Sequence, residues 1–408
     1  MNLISTKKQK RYYTFLLIAA ILVIAATLRS PITSVGPLIP FFREELGVPN
    51  SMIGLVNTLP LLAFGIFSPL VPKISSKFGM EITLLFAMGL LTIGVFIRAL
   101  NDLPVLLFGT VLMGMAIAFG NVLMPGLIKS TFPYQIGLMT GFYSVSMNVF
   151  GALASGISVP IATLPAFGWR SAMQLWSIIS LIAVIILVLR LPAIRSAKKK
   201  VFVKIQNQPS KRLFKSKIAW AVTLFMGLQS FIPYSLFTWL PDIFLSKGYS
   251  ESEAGWLVAI YQVGLIPTTF IAPIIAARMK SQRLIGCISG LLFLFGLIGV
   301  WLVSSHLIVV FLILTGIGAG TTFSLAMMFF VLRTNTVEES SQLSGMAQSF
   351  GYLIAAMGPL LLGTIAEVTG GWTVPLAILM VVALCIAFLG TIAGKDQKIY
   401  MEEAKGEE

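Results

Sequence analysis

A guanidinium stays protonated in proteins and presents a planar fork of five N–H donors, matched to two oxygens of one carboxylate, nitro or phosphate group. Arg29 carries that fork near the middle of the apolar stretch 15–42, in which it is the sole charged residue. Holding a charge at such a depth in a bilayer costs about 2.5–3.5 kcal/mol on insertion scales. None of the fifteen acidic residues lies deep in an apolar stretch; Glu81, Asp242 and Glu367 come nearest, at stretch ends. With no carboxylate to neutralise it, Arg29 implies a partner from outside the chain: a small anion, or a nitro or carboxylate group gripped through both oxygens. The plainer reading is a structural arginine bonded to carbonyls or hydroxyls of a neighbouring helix.

Uncharged polar residues at mid-stretch positions extend the candidate substrate-binding set. Asn121 shares a helical side with Gly114, Ala118 and Pro125. Asn148 shares one with Ser144, Gly151 and Ser155, with Tyr143 adjoining. Gln348 and Tyr352 stand one turn apart beside Ser344 and Ala355. Gln229, Tyr234, Tyr261 and Gln262 complete the set, with Trp239, Asn57 and Thr322 as weaker members. Each also has an ordinary reading, as a hydrogen bond between helices or as an aromatic anchor at a membrane interface. His306 falls in a short loop, away from any expected proton path, and Arg98, Arg170 and Arg333 flank stretch ends, where they read as headgroup or loop contacts. No metal-ligand cluster, phosphate-binding loop or nucleophile triad is present in the sequence. No metal or cofactor is implied, and the chain is not expected to be an enzyme.

The elements that must position these residues are set by composition. The 408-residue chain is 57% hydrophobic and 11% charged, with mean hydropathy +0.93, against roughly 25% charged residues in soluble domains. Apolar stretches near 14–40, 52–72, 82–100, 104–128, 138–162, 170–190, 218–244, 254–277, 284–303, 307–332, 343–365 and 373–394 are each of bilayer-spanning length. The expectation is an all-α membrane protein of twelve transmembrane helices in a lipid bilayer. The net charge of +14 resembles a nucleic-acid signal, but its distribution follows the membrane. With the N-terminus inside, 24 of the 29 Lys and Arg residues fall on the inner side, leaving Arg43, Arg98, Arg170 and Lys247 outside and Arg29 within a span. This asymmetry implies cytoplasmic termini in the cell membrane and no nucleic-acid partner. The first apolar run reads as a retained helix and not as a cleaved signal. Cys287 and Cys385 lie in apolar stretches and imply no disulfide framework.

The stretch from Arg190 to Lys217 has ten basic residues and no acid, and reads as a cytoplasmic linker lying on anionic headgroups. The expected domains are a six-helix bundle over 1–190, this linker over 191–217, a second six-helix bundle over 218–394, and a cytoplasmic tail over 395–408. The halves repeat: Pro40, Gly47, Ser51, Gly54, Pro72 and Lys77 recur 201 positions later as Pro241, Gly248, Ser252, Gly255, Pro273 and Arg278, and Gly168-Trp169 recurs as Gly371-Trp372. Both halves start on the same side, so the repeat is parallel, and such repeats place a substrate site near mid-membrane. On the first stretch, Ala25, Ala26, Thr33 and Gly36 make a small, polar stripe around Arg29, while Ile21, Leu28 and Val35 lie elsewhere. Pro31 loosens the helix beside it.

The two-half pattern resembles the major facilitator superfamily. Ser76-Lys77-Phe78-Gly79 keeps the basic residue and glycine of that family's loop motif but has Ser in place of Asp, which puts the usual gating salt bridge in doubt. Within it, the chain resembles the cyanate and 2-nitroimidazole transporter family through the runs Arg29 to Leu38, Gly54-Leu55 with Thr58-Leu59-Pro60, Gly120 to Pro125, Ser344 to Gln348 and Gly351 to Pro359. The resemblance implies a secondary transporter, acting as a monomer, that moves a small anionic or nitro- or cyanate-like molecule by alternating access, with Arg29 in the central site. Drug efflux is the first alternative, although lipophilic cations call for a deep carboxylate. A receptor or scaffold without transport is the second, and it would more readily carry a large soluble domain.

Overall fold

The computed structural model describes residues 7–46, 50–100, 102–198, 211–303 and 307–399; Gly47, His306 and residues 199–210 of the basic stretch lie outside them, as does the Asn57 side chain. Hydrocarbon offers no water to backbone N–H and C=O groups, so the apolar stretches must fold as helices. They form α1 (Lys7–Thr33), α2 (Ile39–Leu46), α3 (Asn50–Phe67), α4 (Val71–Phe78), α5 (Met80–Ile97), α6 (Leu103–Thr131), α7 (Ile136–Ala162), α8 (Gly168–Lys198), α9 (Lys211–Lys215), α10 (Lys217–Ser246), α11 (Glu251–Arg278), α12 (Arg283–Leu302), α13 (Ile308–Leu332), α14 (Val337–Thr369) and α15 (Thr373–Ala393). Among the described residues, twelve helical spans are long and apolar enough to cross a membrane.

Two spans differ in shape from their hydropathy. The first ends early: α1 stops at Thr33, and a 3-10 turn over Gly36–Leu38 leads into α2. The Val35 N–H, which a continuing α-helix would direct to the Pro31 carbonyl, donates instead to the Ile32 carbonyl at 3.3 Å. The second runs on past residue 72. A 3-10 turn over Ser68–Leu70 joins α3 to α4, and Pro69 and Pro72 sit in first turns, where a missing N–H is harmless. Gly79 then ends α4 with φ +89°, a conformation glycine adopts without strain.

The chain divides into two compact units, Met1–Leu127 with Ser146–Gln208, and Ile128–Val145 with Pro209–Glu408. In the first unit, α8 packs against both α1 and α5. Leu28 fills the notch left by Gly120 of α6, where a Cβ would stand 2.4 Å from Leu28 Cδ2. The Ser146 hydroxyl donates to the Leu22 carbonyl at 2.8 Å, tying α7 to α1. Ile21, Leu28 and Val35 are therefore as buried as the small stripe of Ala25 and Ala26; around residues 24–28, α1 is enclosed by protein on both kinds of face. At one end of the unit, Val35, Leu38, Phe42, Trp169 and Met173 form an apolar cluster.

In the second unit, α10 packs on α14, α11 on α13, and α12 on both α13 and α15. Small residues allow these approaches. A Cβ at Gly316 would stand 2.1 Å from the Tyr261 carbonyl oxygen, and one at Gly264 2.3 Å from that of Ile313. Polar sequence signals set the helix ends. Ser250 with Glu253, and Thr336 with Glu339, form capping boxes on α11 and α14. The two Gly-Trp pairs act alike: Trp169 meets Phe42 at 4.7 Å between ring centroids, and Trp372 meets Trp239 at 5.4 Å.

The arginines at span ends depart from their expected role. Arg98 is 0% and Arg333 2% exposed, so neither is a headgroup contact. Arg170 is partly exposed, ion-paired with Glu45 and stacked over the Trp169 ring at 4.4 Å. Arg190 grips both carboxylate oxygens of Glu81, at 2.8 and 3.0 Å, which neutralises one of the three acids nearest the apolar interior.

Candidate functional site

Arg29 sits in the penultimate turn of α1, half-buried, with its aliphatic stem laid across Gly151 of α7. A Cβ at residue 151 would stand 3.1 Å from Arg29 Cγ and 3.4 Å from Cδ, so glycine is what leaves room for the stem. The same contact is fastened by Thr33, whose hydroxyl lies 2.7 Å from the Gly151 carbonyl and 3.2 Å from that of Arg29. Asn148, one turn before Gly151, is buried on α7. Asn121 follows the Gly120 notch that receives Leu28, the neighbour of Arg29, and is buried on α6. Three of the sequence candidates, Arg29, Asn121 and Asn148, thus lie on three helices joined around one turn of α1.

The other six candidates belong to the second unit. Tyr234 of α10 faces Tyr352 of α14 with ring centroids 6.5 Å apart, and Phe237, one turn on, faces Tyr261 of α11 at 5.6 Å. Tyr352 and Tyr261 are buried, and Tyr234 and Gln262 are half-buried. Gln348 is buried and donates to Ser344 Oγ at 2.8 Å. Gln229 directs its amide nitrogen to its own helix, at 3.2 Å from the Met226 carbonyl and 2.8 Å from Ser230 Oγ. Trp239 is anchored, its indole N–H donating to the Pro359 carbonyl at 2.8 Å. This half of the set offers aromatic faces and neutral hydrogen bonds, whereas the guanidinium belongs to the first unit. Among the described residues, no group of three His, Cys, Asp or Glu side chains comes together to hold a metal ion.

Arg98 is a buried neighbour of Arg29 whose placement the sequence does not foretell. It caps the end of α5, and its Nη2 donates to the Pro31 carbonyl at 2.7 Å, two residues beyond Arg29. Nη1 lies 2.9 Å from Met113 Sδ, and Nε has no hydrogen-bond partner among the described residues. Its backbone fits against Gly109, where a Cβ would stand 2.5 Å from Arg98 N. A basic residue at the margin of an apolar stretch signals an interface; only the glycine facing it and the broken end of α1 point inward.

Comparison with known proteins places this chain among membrane carriers. A family model described as Major Facilitator Superfamily matches residues 14–330 and 242–407. An uncharacterized transporter of Bacillus subtilis is 42% identical over 97% of this chain and 97% of its own length. A 2-nitroimidazole transporter of Escherichia coli is 40% identical over 94% of this chain and 96% of its own. Among solved structures, a proton:xylose symporter of the same superfamily aligns with TM-score 0.77 over 95% of this chain and 98% of that one, at 13% identity, a likeness of fold.

Proposed function

Starting from a chain that belongs to the major facilitator superfamily and is a multi-pass membrane transporter of small molecules, we propose that its solute is a small anion or a nitro- or cyanate-like molecule, recognised by Arg29 and carried by alternating access. The observation that carries this reading is the seat of Arg29: a guanidinium on a glycine-cleared path, in the turn of α1 from which Asn121 and Asn148 are reached, in a sequence without a deep carboxylate. A nitro group and a carboxylate both present two oxygens in one plane, the shape a guanidinium fork binds in bidentate fashion. The 40% identical relative is a 2-nitroimidazole transporter, which supports a planar, oxygen-bearing solute. Tyr234, Tyr261 and Tyr352 with Gln348 and Gln262 supply aromatic faces and neutral hydrogen bonds for the rest of it, and Gln229 holds the local shape of α10. A sugar would need many more donors and acceptors than this set contains.

In this reading the protein works as a monomer in the cell membrane with both termini in the cytoplasm. Its two six-helix bundles, 1–190 and 218–394, are joined by the basic linker. With no deep Asp or Glu to relay protons, any proton coupling travels on the solute itself.

The experiment is uptake by liposomes containing the purified protein, over a panel of small anions and nitro compounds, with Arg29→Ala in parallel. The expected result is uptake of at least one panel member by the wild type and its loss in the variant. Normal transport by a folded Arg29→Ala protein removes Arg29 from the site. Transport of lipophilic cations alone replaces the reading with drug efflux.

A further inference from the structure

We infer that Arg98 is a positioning residue for Arg29: by holding the Pro31 carbonyl it fixes where α1 ends, and hence the direction in which the Arg29 side chain leaves the helix. The inference rests on Arg29 as the residue that recognises the solute.

Past Pro31, α1 has two ways to continue. In a regular helix the Val35 N–H takes the Pro31 carbonyl and the helix runs on. Here that N–H goes to Ile32, and the Pro31 carbonyl accepts from Arg98 Nη2 at 2.7 Å and from the Ser34 hydroxyl at 3.2 Å. A cation at the end of a helix meets the partial negative charge of its last carbonyls, so the broken geometry is the one Arg98 favours. Water cannot take its place, because Arg98 is fully buried between α5 and α6. Its own position is set from two sides, by the Met113 sulfur and by the close approach of Gly109.

The turn that carries Arg29 is therefore pinned twice. Thr33 ties it to the Gly151 carbonyl of α7, and Arg98 ties it to the end of α5. A helix can be ended by a glycine or a hydroxyl at little expense. A buried guanidinium hydrogen-bonded to no carboxylate among the described residues is a costly way to do so. What it adds is a rigid, charged, multi-point hold within two residues of the group that meets the solute.

The test compares wild-type, Arg98→Gln, Arg98→Lys, Arg29→Gln and doubly substituted Arg29→Gln/Arg98→Gln proteins in liposomes, with 2-nitroimidazole as the probe. Arg98→Gln is expected to raise KM about tenfold with little change in turnover, as suits a loss of aim at an intact site. Arg98→Lys, which keeps the charge, is expected to recover part of that loss. The double variant is expected to transport no worse than Arg29→Gln alone, because both changes act through one group. If Arg29→Gln transports like the wild type, the reading of Arg29 fails whatever Arg98 does. If Arg29→Gln raises KM while Arg98→Gln does not, or the two effects multiply, the positioning role is overturned.

A second measurement is independent of the solute and of Arg98→Gln folding. In a Cys287→Ala/Cys385→Ala background, Arg29→Cys is labelled with a water-soluble methanethiosulfonate reagent. A severalfold change in labelling rate on adding Arg98→Lys is expected. An unchanged rate overturns the inference.

Discussion

Lys129 and Lys398 donate to the same oxygen, the Thr334 carbonyl, at 2.6 and 3.3 Å. Lys129 also reaches the Val331 carbonyl at 3.0 Å and Thr334 Oγ1 at 2.7 Å, and Lys398 reaches the Leu332 carbonyl at 2.6 Å. The Ile399 N–H adds a bond to the Arg333 carbonyl at 3.0 Å. All six contacts converge on the end of α13, whose last carbonyls have no donor within the helix and carry its partial negative charge. Burial lowers the pKa of Lys398, and Arg333 lowers it further, against the opposing pull of Asp396 and Glu339. Burial likewise brings Arg333 down to about 10.

This convergence predicts the cost of undoing it. Lys398→Ala is expected to destabilise the protein by about 1.5 kcal/mol, the low end for a hydrogen bond to a charged group, as suits a partly buried site. Lys129→Ala is expected to cost more, since it strips three acceptors. The double variant is expected to lose less than the two together, because removing one cation relieves the other. Thermal unfolding midpoints in detergent measure all three, and an unshifted midpoint for Lys129→Ala refutes the expectation.

Glu45 predicts an acid-sensitive contact in the first unit. Its carboxylate accepts from Arg170 and from the Trp169 indole, and these bonds hold its pKa below the ordinary 4.5. A carboxylate with a depressed folded pKa contributes stability that is full above the unfolded value and fades as pH falls through the folded one. Unfolding midpoints of the wild type are therefore expected to drop below pH 4.5 more steeply than those of Glu45→Gln. Parallel curves for the two proteins rule the contact out as a source of acid sensitivity.

The glycines divide into two classes of outcome. At Gly316 an added methyl meets a backbone carbonyl at 2.1 Å, whereas at Gly36 nothing lies within 4 Å. Gly316→Ala is expected to destabilise by about 1–3 kcal/mol or more through overpacking. Gly36→Ala is expected to stay within about 0.5 kcal/mol of the wild type. Equal yields of monodisperse protein and equal unfolding midpoints from the two variants contradict this.

With Arg29 in the proposed role, packing at Gly151 bears on transport. A methyl there presses on Arg29 Cγ from 3.1 Å, so the stem must move by a few tenths of an ångström while the Thr33 bond to the main chain survives. Gly151→Ala is expected to raise KM about threefold, given that displacements near 1 Å cost up to about a hundredfold in rate. Gly151→Val is expected to do more. Uptake kinetics on both, with 2-nitroimidazole as probe, show whether the order holds.

Hydropathy made the twelve spans legible because a bilayer demands length and apolarity of every helix, and both are written in the sequence. It misjudged the ends of the first two spans, where proline chemistry decides: Pro31 and Pro37 cut α1 short, while Pro69 and Pro72 sit where a helix tolerates them. Arg29 stood out because a charge in an apolar run is rare. Arg98 did not, because a residue at the edge of such a run can turn to the headgroups or into the protein, and the choice depends on Gly109 and Pro31, distant in sequence. The side-chain periodicity of α1 was equally silent about its surroundings, since a helix enclosed by protein buries Leu28 and Ala25 alike.

The glycine contacts between α11 and α13 carry one more consequence. With Gly264 against the Ile313 carbonyl and Gly316 against that of Tyr261, the two backbones touch with no side chain between them to bend. The pair can only move as one piece. Spin labels placed on exposed sites of these two helices, Val263 and Val310 for example, should therefore hold a constant separation with and without 2-nitroimidazole, giving distance spectroscopy a fixed ruler within the second unit.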